Sequence, residues 1–313
     1  MAANYIAYSG NWITCGSYAL IHAANLCYSD LIPLENSTGA SFGIRCAGED
    51  YGGTRMLSVF RDFNYGIDAV APLWGIQLKR VDGETKDSIA ALLQDSGIER
   101  VVIGPVSMVT LAYLPLSQQY RYVDHFIACI RQKGNLWKLI DSEGISGLLI
   151  DSEEIIKMLT IQNIPEACGK YTARAVLHVN MRTAIQDRAI RIRYTLNTAY
   201  RNLKDAQENG QGFRAIYKCA ELVFNMPSEK RKSLLYDIDY LIQRKIMLLK
   251  LLQDAERENV AIVNPNLITT IYQFIESAGM LRDNLQQQFF DRLAKAEKNI
   301  TEKWKEWINY GSN

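Results

Sequence analysis

Three observations on the 313-residue chain predict an α+β domain followed by an all-helical C-terminal domain. Glycine is concentrated early, with 16 of the 20 glycines in residues 1–181 and 4 in residues 182–313. The charge balance shifts at the same place. Residues 1–181 hold 14 Lys/Arg against 18 Asp/Glu, a net −4, and residues 182–313 hold 21 against 16, a net +5. The apolar pattern also changes there, from β-branched runs to helical spacing. Together these set the boundary near residue 181 and define domains 1–181 and 182–313.

In the first domain, Gly16–Tyr28 reads as a helix with Thr14 as its N-cap. Residues 52–66 and 85–96 also read as helical. Val101–Val106 is β-branched and apolar, the pattern of a buried strand. Val123–Arg131 and Leu136–Asp141 flank the turn Gln132-Lys-Gly-Asn135 and predict a hairpin. Ser152–Leu159 is a short helix with acidic residues in its first turn, and Ala173–Asn180 a closing strand. The second domain reads as helices over Thr183–Glu208, Gly212–Asn225, Ser228 to about Glu258, Pro265–Ser277 and Leu281–Ile308. In the third of these, Leu234, Ile238, Leu241, Leu248 and Leu252 form an apolar stripe. That stripe is expected to be buried against the first domain, or against its copy in a homodimer.

Composition narrows the function classes. The net charge of +1 gives no nucleic-acid footprint. The longest apolar run, Val101–Leu116, is short for a membrane span and carries Pro105 and Pro115, so no membrane association is expected. Met1-Ala-Ala-Asn-Tyr shows no basic n-region and no apolar h-region, which predicts a cytoplasmic protein with reduced thiols. The six cysteines, at 15, 27, 46, 129, 168 and 219, include no Cys-x-x-Cys pair, and there are three histidines, so no metal site is expected.

The strongest local signal is Asn11-Trp-Ile-Thr-Cys15-Gly-Ser-Tyr-Ala-Leu20, which puts a cysteine at a helix start. The helix dipole favours a thiolate there. A nucleophilic cysteine needs a base. His22, seven residues on along the same helix, lies roughly 10 Å away and reads as a core or supporting residue. His178 reads as structural. His125 lies early on the first hairpin strand and Asp141 at the end of the second, so hairpin register puts the two side by side. A carboxylate beside an imidazole fixes its tautomer and stabilises its cation. Gly39–Gly43 reads as a plain loop rather than a phosphate cradle, since no Lys-Ser/Thr follows. Tyr113, Tyr120 and Tyr122 read as packing on a sheet, with an acyl pocket as the alternative.

A Cys-Gly opening a helix, a later His-Phe-Ile on a strand and an Asp sixteen residues on resemble the papain-like fold of the C39-type peptidases. Within that group the architecture resembles the butirosin-biosynthesis H-type acyltransferases, a papain-like domain followed by a helical one. The segment Leu34-Glu-Asn-Ser-Thr-Gly-Ala-Ser-Phe-Gly-Ile44 resembles their stretch after the first helix. The pattern covers most of residues 9–181, and the remainder only by helical character. The resemblance implies Cys15 as nucleophile, His125 as base and Asp141 as its orienter. It also implies an oxyanion hole formed by the Cys15 N–H and an upstream polar side chain. Papain-like enzymes often place Gln six positions before the cysteine. Ser9 stands there, and Asn11 is the preferred second donor because its amide can donate two hydrogen bonds.

The implied reaction is cysteine-dependent amide formation in natural-product biosynthesis, comparable to amide-forming papain-like enzymes of the closthioamide-assembly kind. The partners are an acyl or peptidyl carrier protein and a small amine acceptor. No bound cofactor is expected, the acyl group riding on the carrier's phosphopantetheine arm. A covering helical domain would favour aminolysis over hydrolysis by excluding water. The net +5 of residues 182–313 suits an acidic carrier protein and equally suits a solvated helical surface. Two alternatives use the same chain: a hydrolase (peptidase, deacylase or thioesterase) sharing Cys15, His125 and Asp141, and a non-catalytic binding module.

Overall fold

The computed structural model describes residues 14–47, 56–61, 63–83, 85–114, 124–159, 171–182, 188–227 and 231–310. The chain forms two compact units. One comprises residues 1–34 and 71–184, the other residues 35–70 and 185–313. The passage at 184/185 lies close to the boundary expected near 181. The expectation that residues 1–181 form one domain is corrected in its middle, because residues 35–70 belong with the helices.

Helix α1 spans Cys15–Ala24 and stops at Asn25, whose left-handed conformation (φ 55°) turns the chain out of the helix. It is therefore shorter than the expected Gly16–Tyr28. Thr14 precedes it without a side-chain capping bond, so the expected N-cap is not made. Helix α2 (Leu31–Thr38) follows, then strands β1 (Ile44–Cys46) and β2 (Leu57–Val59). The helix expected over 52–66 is thus a strand over Leu57–Val59, with α3 at Phe63–Val70; residues 52–55 lie outside the described residues. Three residues of β2 gain a ladder with β1, through Ile44↔Val59 and Cys46↔Leu57, which local helical spacing does not register.

Strand β3 (Ile76–Gly83), helix α4 (Asp87–Gln94) and strand β4 (Arg100–Ser107) come next. The hairpin pairs β5 (Asp124–Lys133) with β6 (Leu136–Ile140), and β7 (Ser146–Asp151), α5 (Ser152–Met158) and β8 (Tyr171–Val179) complete this unit. The sheet is antiparallel with order β3-β8-β4-β5-β6-β7. Both faces of its centre are covered. Val101, Ile103, Ile127, Cys129, Trp137, Leu139, Ala173 and Ala175 face a core completed by α4 and α5. The alternate residues Val102, Phe126, Ala128 and Arg174 are also buried, and α1 lies along β5, β4 and β8. Double burial is why Val101–Val106 carries no polar alternation.

The second unit adds α6 (Arg188–Glu208), α7 (Phe213–Phe224), α8 (Lys232–Arg257), α9 (Pro265–Asp283) and α10 (Gln287–Tyr310). Leu234, Ile238, Leu241, Leu248 and Leu252 are all buried. Helix α8 packs on α9 and α6 and on β2, a strand from within residues 1–181, all in its own unit. Residues 35–39 are pinned here by polar contacts. Glu35 pairs with Arg244, Asn36 Nδ2 donates to the Met247 carbonyl (2.9 Å), Ser37 Oγ meets Thr195 Oγ1 (2.9 Å), and Asn202 Nδ2 donates to the Gly39 carbonyl (3.1 Å). A Cβ on Gly39 (φ 86°) would meet Asn202 Nδ2 at 2.4 Å, so the glycine admits a neighbouring side chain, in keeping with a plain loop. No helix among the described residues is long and apolar enough to cross a membrane.

Candidate active site

Cys15 is the first residue of α1, so its backbone N–H is one of those a helix start leaves without an intrahelical partner. His125 is the second residue of β5, and Asp141 directly follows β6. The β5–β6 ladder runs Ala128↔Ile140. Continued one step, it sets Asp141 opposite Ile127 rather than opposite His125. The expected side-by-side pair is therefore a diagonal one, two residues off on the same face, within reach of extended side chains.

His125 Nε2 and Asp141 Oδ1 are 2.7 Å apart, in side chains 1% and 0% exposed. An ionised carboxylate only accepts, so Nε2 carries a proton and Nδ1 is the ring nitrogen left for other work. Cys15 is the other side-chain hydrogen-bond partner of His125. Burial alone would depress the imidazolium; the Asp141 charge, its hydrogen bond and Cys15 outweigh burial and hold it well above its ordinary pKa. Burial would raise Asp141, yet His125, the Glu143 N–H and the Tyr113 hydroxyl hold its carboxyl below the ordinary range. Two of these donors are local and remote respectively: Glu143 N donates to Oδ1 (2.8 Å) in an Asx-turn, and Tyr113 OH donates to Oδ2 (2.6 Å). The turn is closed by Asp141 N–H on the Ile145 carbonyl (2.8 Å).

Strand β4 sets the position of His125. Val106 pairs with His125 and Ser107 with Asp124, after a register shift at Gly104-Pro105. A Cβ on Gly104 (φ 137°) would lie 2.6 Å from the His125 carbonyl oxygen and 2.7 Å from Phe126 Cδ1. Glycine is what lets the two strands approach here.

No protein-family model matches this chain, and no curated protein matches it. The site is thus read from its own geometry. Of the residues singled out in the sequence, Cys15, His125 and Asp141 come together; Asn11 and Ser9, and with them Cys168, Tyr120 and Tyr122, lie outside the described residues. His22 stands apart from the triad. It stacks on Tyr18 (ring centroids 4.5 Å), its buried Nε2 lacks a hydrogen-bond partner, and burial with the nearby Lys138 charge lowers its pKa to about 4. His178 is exposed near the end of β8, opposite Gln77, so it has no core role. Cys46 shares the half-buried state of Cys15, whereas three other thiols differ from it in setting. Burial raises Cys129 and Cys219, keeping them protonated, while Cys27 is exposed and lowered by its hydrogen bond from Ser29. Among the described residues no cluster of three or more His, Cys, Asp or Glu is placed to hold a metal ion.

The tie from Tyr113 to Asp141 escapes sequence reasoning. It joins residues 28 apart, and Tyr113 sits in Leu111-Ala-Tyr-Leu114, where an aromatic reads as packing. It does pack against the sheet core as expected, and uses its polar tip as well.

Proposed function

We propose that this chain is a cysteine-dependent acyltransferase whose first unit is a papain-like, C39-type fold. The observation that supports this reading is the Cys15–His125–Asp141 array at the N-terminus of a helix lying on an antiparallel sheet. Cys15 is the nucleophile, deprotonated by His125 Nδ1, while Asp141 holds the imidazole in the required tautomer and balances its charge. The thiolate attacks the carbonyl carbon of an acyl thioester borne on a carrier protein's phosphopantetheine. The Cys15 N–H, with Asn11 as second donor, stabilises the oxyanion. The carrier's C–S bond breaks and its thiolate takes the proton from His125. An amine then attacks the acyl-enzyme and gives its proton to His125, and Cys15 leaves. The net reaction converts a thioester and an amine into an amide and a thiol. Aminolysis is the proposed outcome, and water in the amine's place would make the same array a hydrolase.

The test is intact-protein mass spectrometry after incubation with acyl-pantetheine thioesters, with and without an amine. The expected result is a single acyl adduct on Cys15, absent in Cys15→Ala, discharged as amide when amine is added. Free acid as the main product in the presence of amines would replace this reading with a hydrolase. No adduct with any thioester would remove it.

A further inference from the structure

We propose that Tyr113 is a positioning residue that acts through Asp141, keeping that carboxylate ionised and its plane fixed on His125. The inference rests on the triad reading of the preceding section and adds a fourth member to it. Asp141 is wholly buried, and its two oxygens have different partners. Oδ1 receives His125 Nε2 and the Glu143 N–H; Oδ2 receives the Tyr113 hydroxyl at 2.6 Å. Without that hydroxyl, Oδ2 would lose a short, charge-assisted donor in a site closed to water, which favours a protonated carboxyl. A neutral Asp141 cannot balance an imidazolium.

The phenol is held firmly. Leu111 and Leu114, on either side, are buried in the sheet core. Thr110 Oγ1 bonds the Ser107 carbonyl (2.7 Å) and the Met158 carbonyl (2.9 Å), tying the turn after β4 to the end of α5. Ser107 in turn pairs with Asp124, next to His125. One strand thus sets both the base and the holder of its orienter. Burial, with the Asp141 charge and hydrogen bond adding, pushes the Tyr113 phenol far up, so it remains a donor at every working pH. The titratable groups that sense Asp141 are His125 and Cys129 from β5, Tyr18 from α1, Tyr113, and Glu143 from the turn after β6. Of these, Glu143 is the second carboxyl, raised by burial and by the Asp141 charge against the opposing pull of His125.

The test uses the full-length protein and needs no acyl donor. The rate of Cys15 alkylation by iodoacetamide is followed from pH 4 to 9 by peptide mapping, so that the exposed Cys27 is counted separately. In the wild type the rate falls on an acid limb as the Cys15 thiolate, paired with the His125 imidazolium that Asp141 balances, becomes protonated. Tyr113→Phe keeps the ring and is expected to move that limb up by about one pH unit, roughly a tenfold slower reaction on the limb. In an Asp141→Asn background the same change should move nothing further, and Glu143→Gln should leave the limb in place. Difluorotyrosine at 113, a stronger donor of the same shape, should move the limb down, which keeps the test open if Tyr113→Phe folds badly. A limb unmoved by both replacements overturns the proposal, as does an equal shift in the Asp141→Asn background or a limb that follows Glu143→Gln. A shifted limb with no acyl adduct from any thioester sustains Tyr113 and removes the acyltransferase reading. An acylated Cys15 with an unmoved limb does the reverse. A wild-type Cys15 that alkylates only in the ordinary thiol range overturns both.

Discussion

A buried imidazole and a buried carboxylate each cost free energy alone, and together they stabilise each other only while both are charged. That gives the pair a pH signature. Asp141 is held below its ordinary value, so its contribution is present above about pH 4 and lost as pH falls through the folded value. His125 is held above its ordinary value, so its contribution is complete below about pH 6.5 and lost as pH rises through the folded value. In urea unfolding, the stability gap between wild type and Asp141→Asn should be widest between about pH 4 and 6.5 and should narrow above. A gap independent of pH would remove the ion pair. Asp141→Asn should also lose about 10- to 10⁴-fold in turnover, less than Cys15→Ala, because the amide still accepts a hydrogen bond but cannot balance charge. The three residues were legible because each carries a local sign: a cysteine at a helix start, a histidine and an aspartate on one hairpin. The Tyr113 tie has no such sign, since it is fixed by how the turn after β4 folds back on the sheet.

Helix α1 and the β4–β5 pair do the positioning, and each makes its own demand. Gly104 faces the His125 carbonyl, backbone against backbone, and neither side can rotate away. Gly104→Ala should therefore cost at least about 1–3 kcal/mol and displace His125, lowering turnover in the folded fraction as well as the urea midpoint. A midpoint shift with unchanged turnover would show that the strand absorbs the methyl without moving the base. On α1, His22 is kept neutral, with its pKa lowered to about 4 by burial and Lys138. Protonation below the ordinary value of about 6.5 then favours the unfolded chain, so stability falls as pH drops from about 6.5 to 4. His22→Gln should flatten that acid slope and leave Cys15 reactivity intact. The slope is measured by thermal unfolding at a series of pH values, and an unchanged slope would assign it to other groups. The sequence placed α1, β4 and the β5–β6 hairpin, β4 by its continuous β-branched apolar run and the hairpin by two strand-like segments flanking a turn. It missed β1, β2, β3, β7 and α2. The three-residue strands lack a period to read, and β7, exposed along most of its length, lacks the apolar alternation that marks a strand.

At the scale of the molecule, the chain leaves one compact unit after Leu34, returns at Ala71 and leaves again after Ala184. The last crossing was legible because glycine use and charge sign both change there. The first two were not, because residues 35–70, with 6 of the 20 glycines and a net charge of −2, read by both measures with the glycine-rich, acidic sequence around them. What assigns them to the helices is buried pairing, which composition does not record. Arg244, 5% exposed in its side chain, has Glu35 as its counter-charge and also donates to Tyr240 OH (2.9 Å). The carboxylate of the buried Asp237 accepts the Met56 and Leu57 N–H groups (2.6 and 3.0 Å). Asn202 holds the Gly39 carbonyl, and Gln211 accepts the Cys46 N–H (3.0 Å). A fragment of residues 182–313 keeps every helix of this unit from α6 onward but loses Glu35, the Gly39 carbonyl and the Cys46, Met56 and Leu57 N–H groups. An uncompensated buried charge such as Arg244 costs about 3–5 kcal/mol, a large share of the ~5–15 kcal/mol that stabilises an ordinary domain. The fragment should therefore be helical by circular dichroism but lack a cooperative thermal transition. Residues 35–70 joined through a flexible linker to residues 185–313 should regain one, and Glu35→Ala in that fusion should weaken it again. If residues 182–313 alone melt cooperatively, the helices carry their own stability and the 35–70 segment is an attachment rather than part of their core.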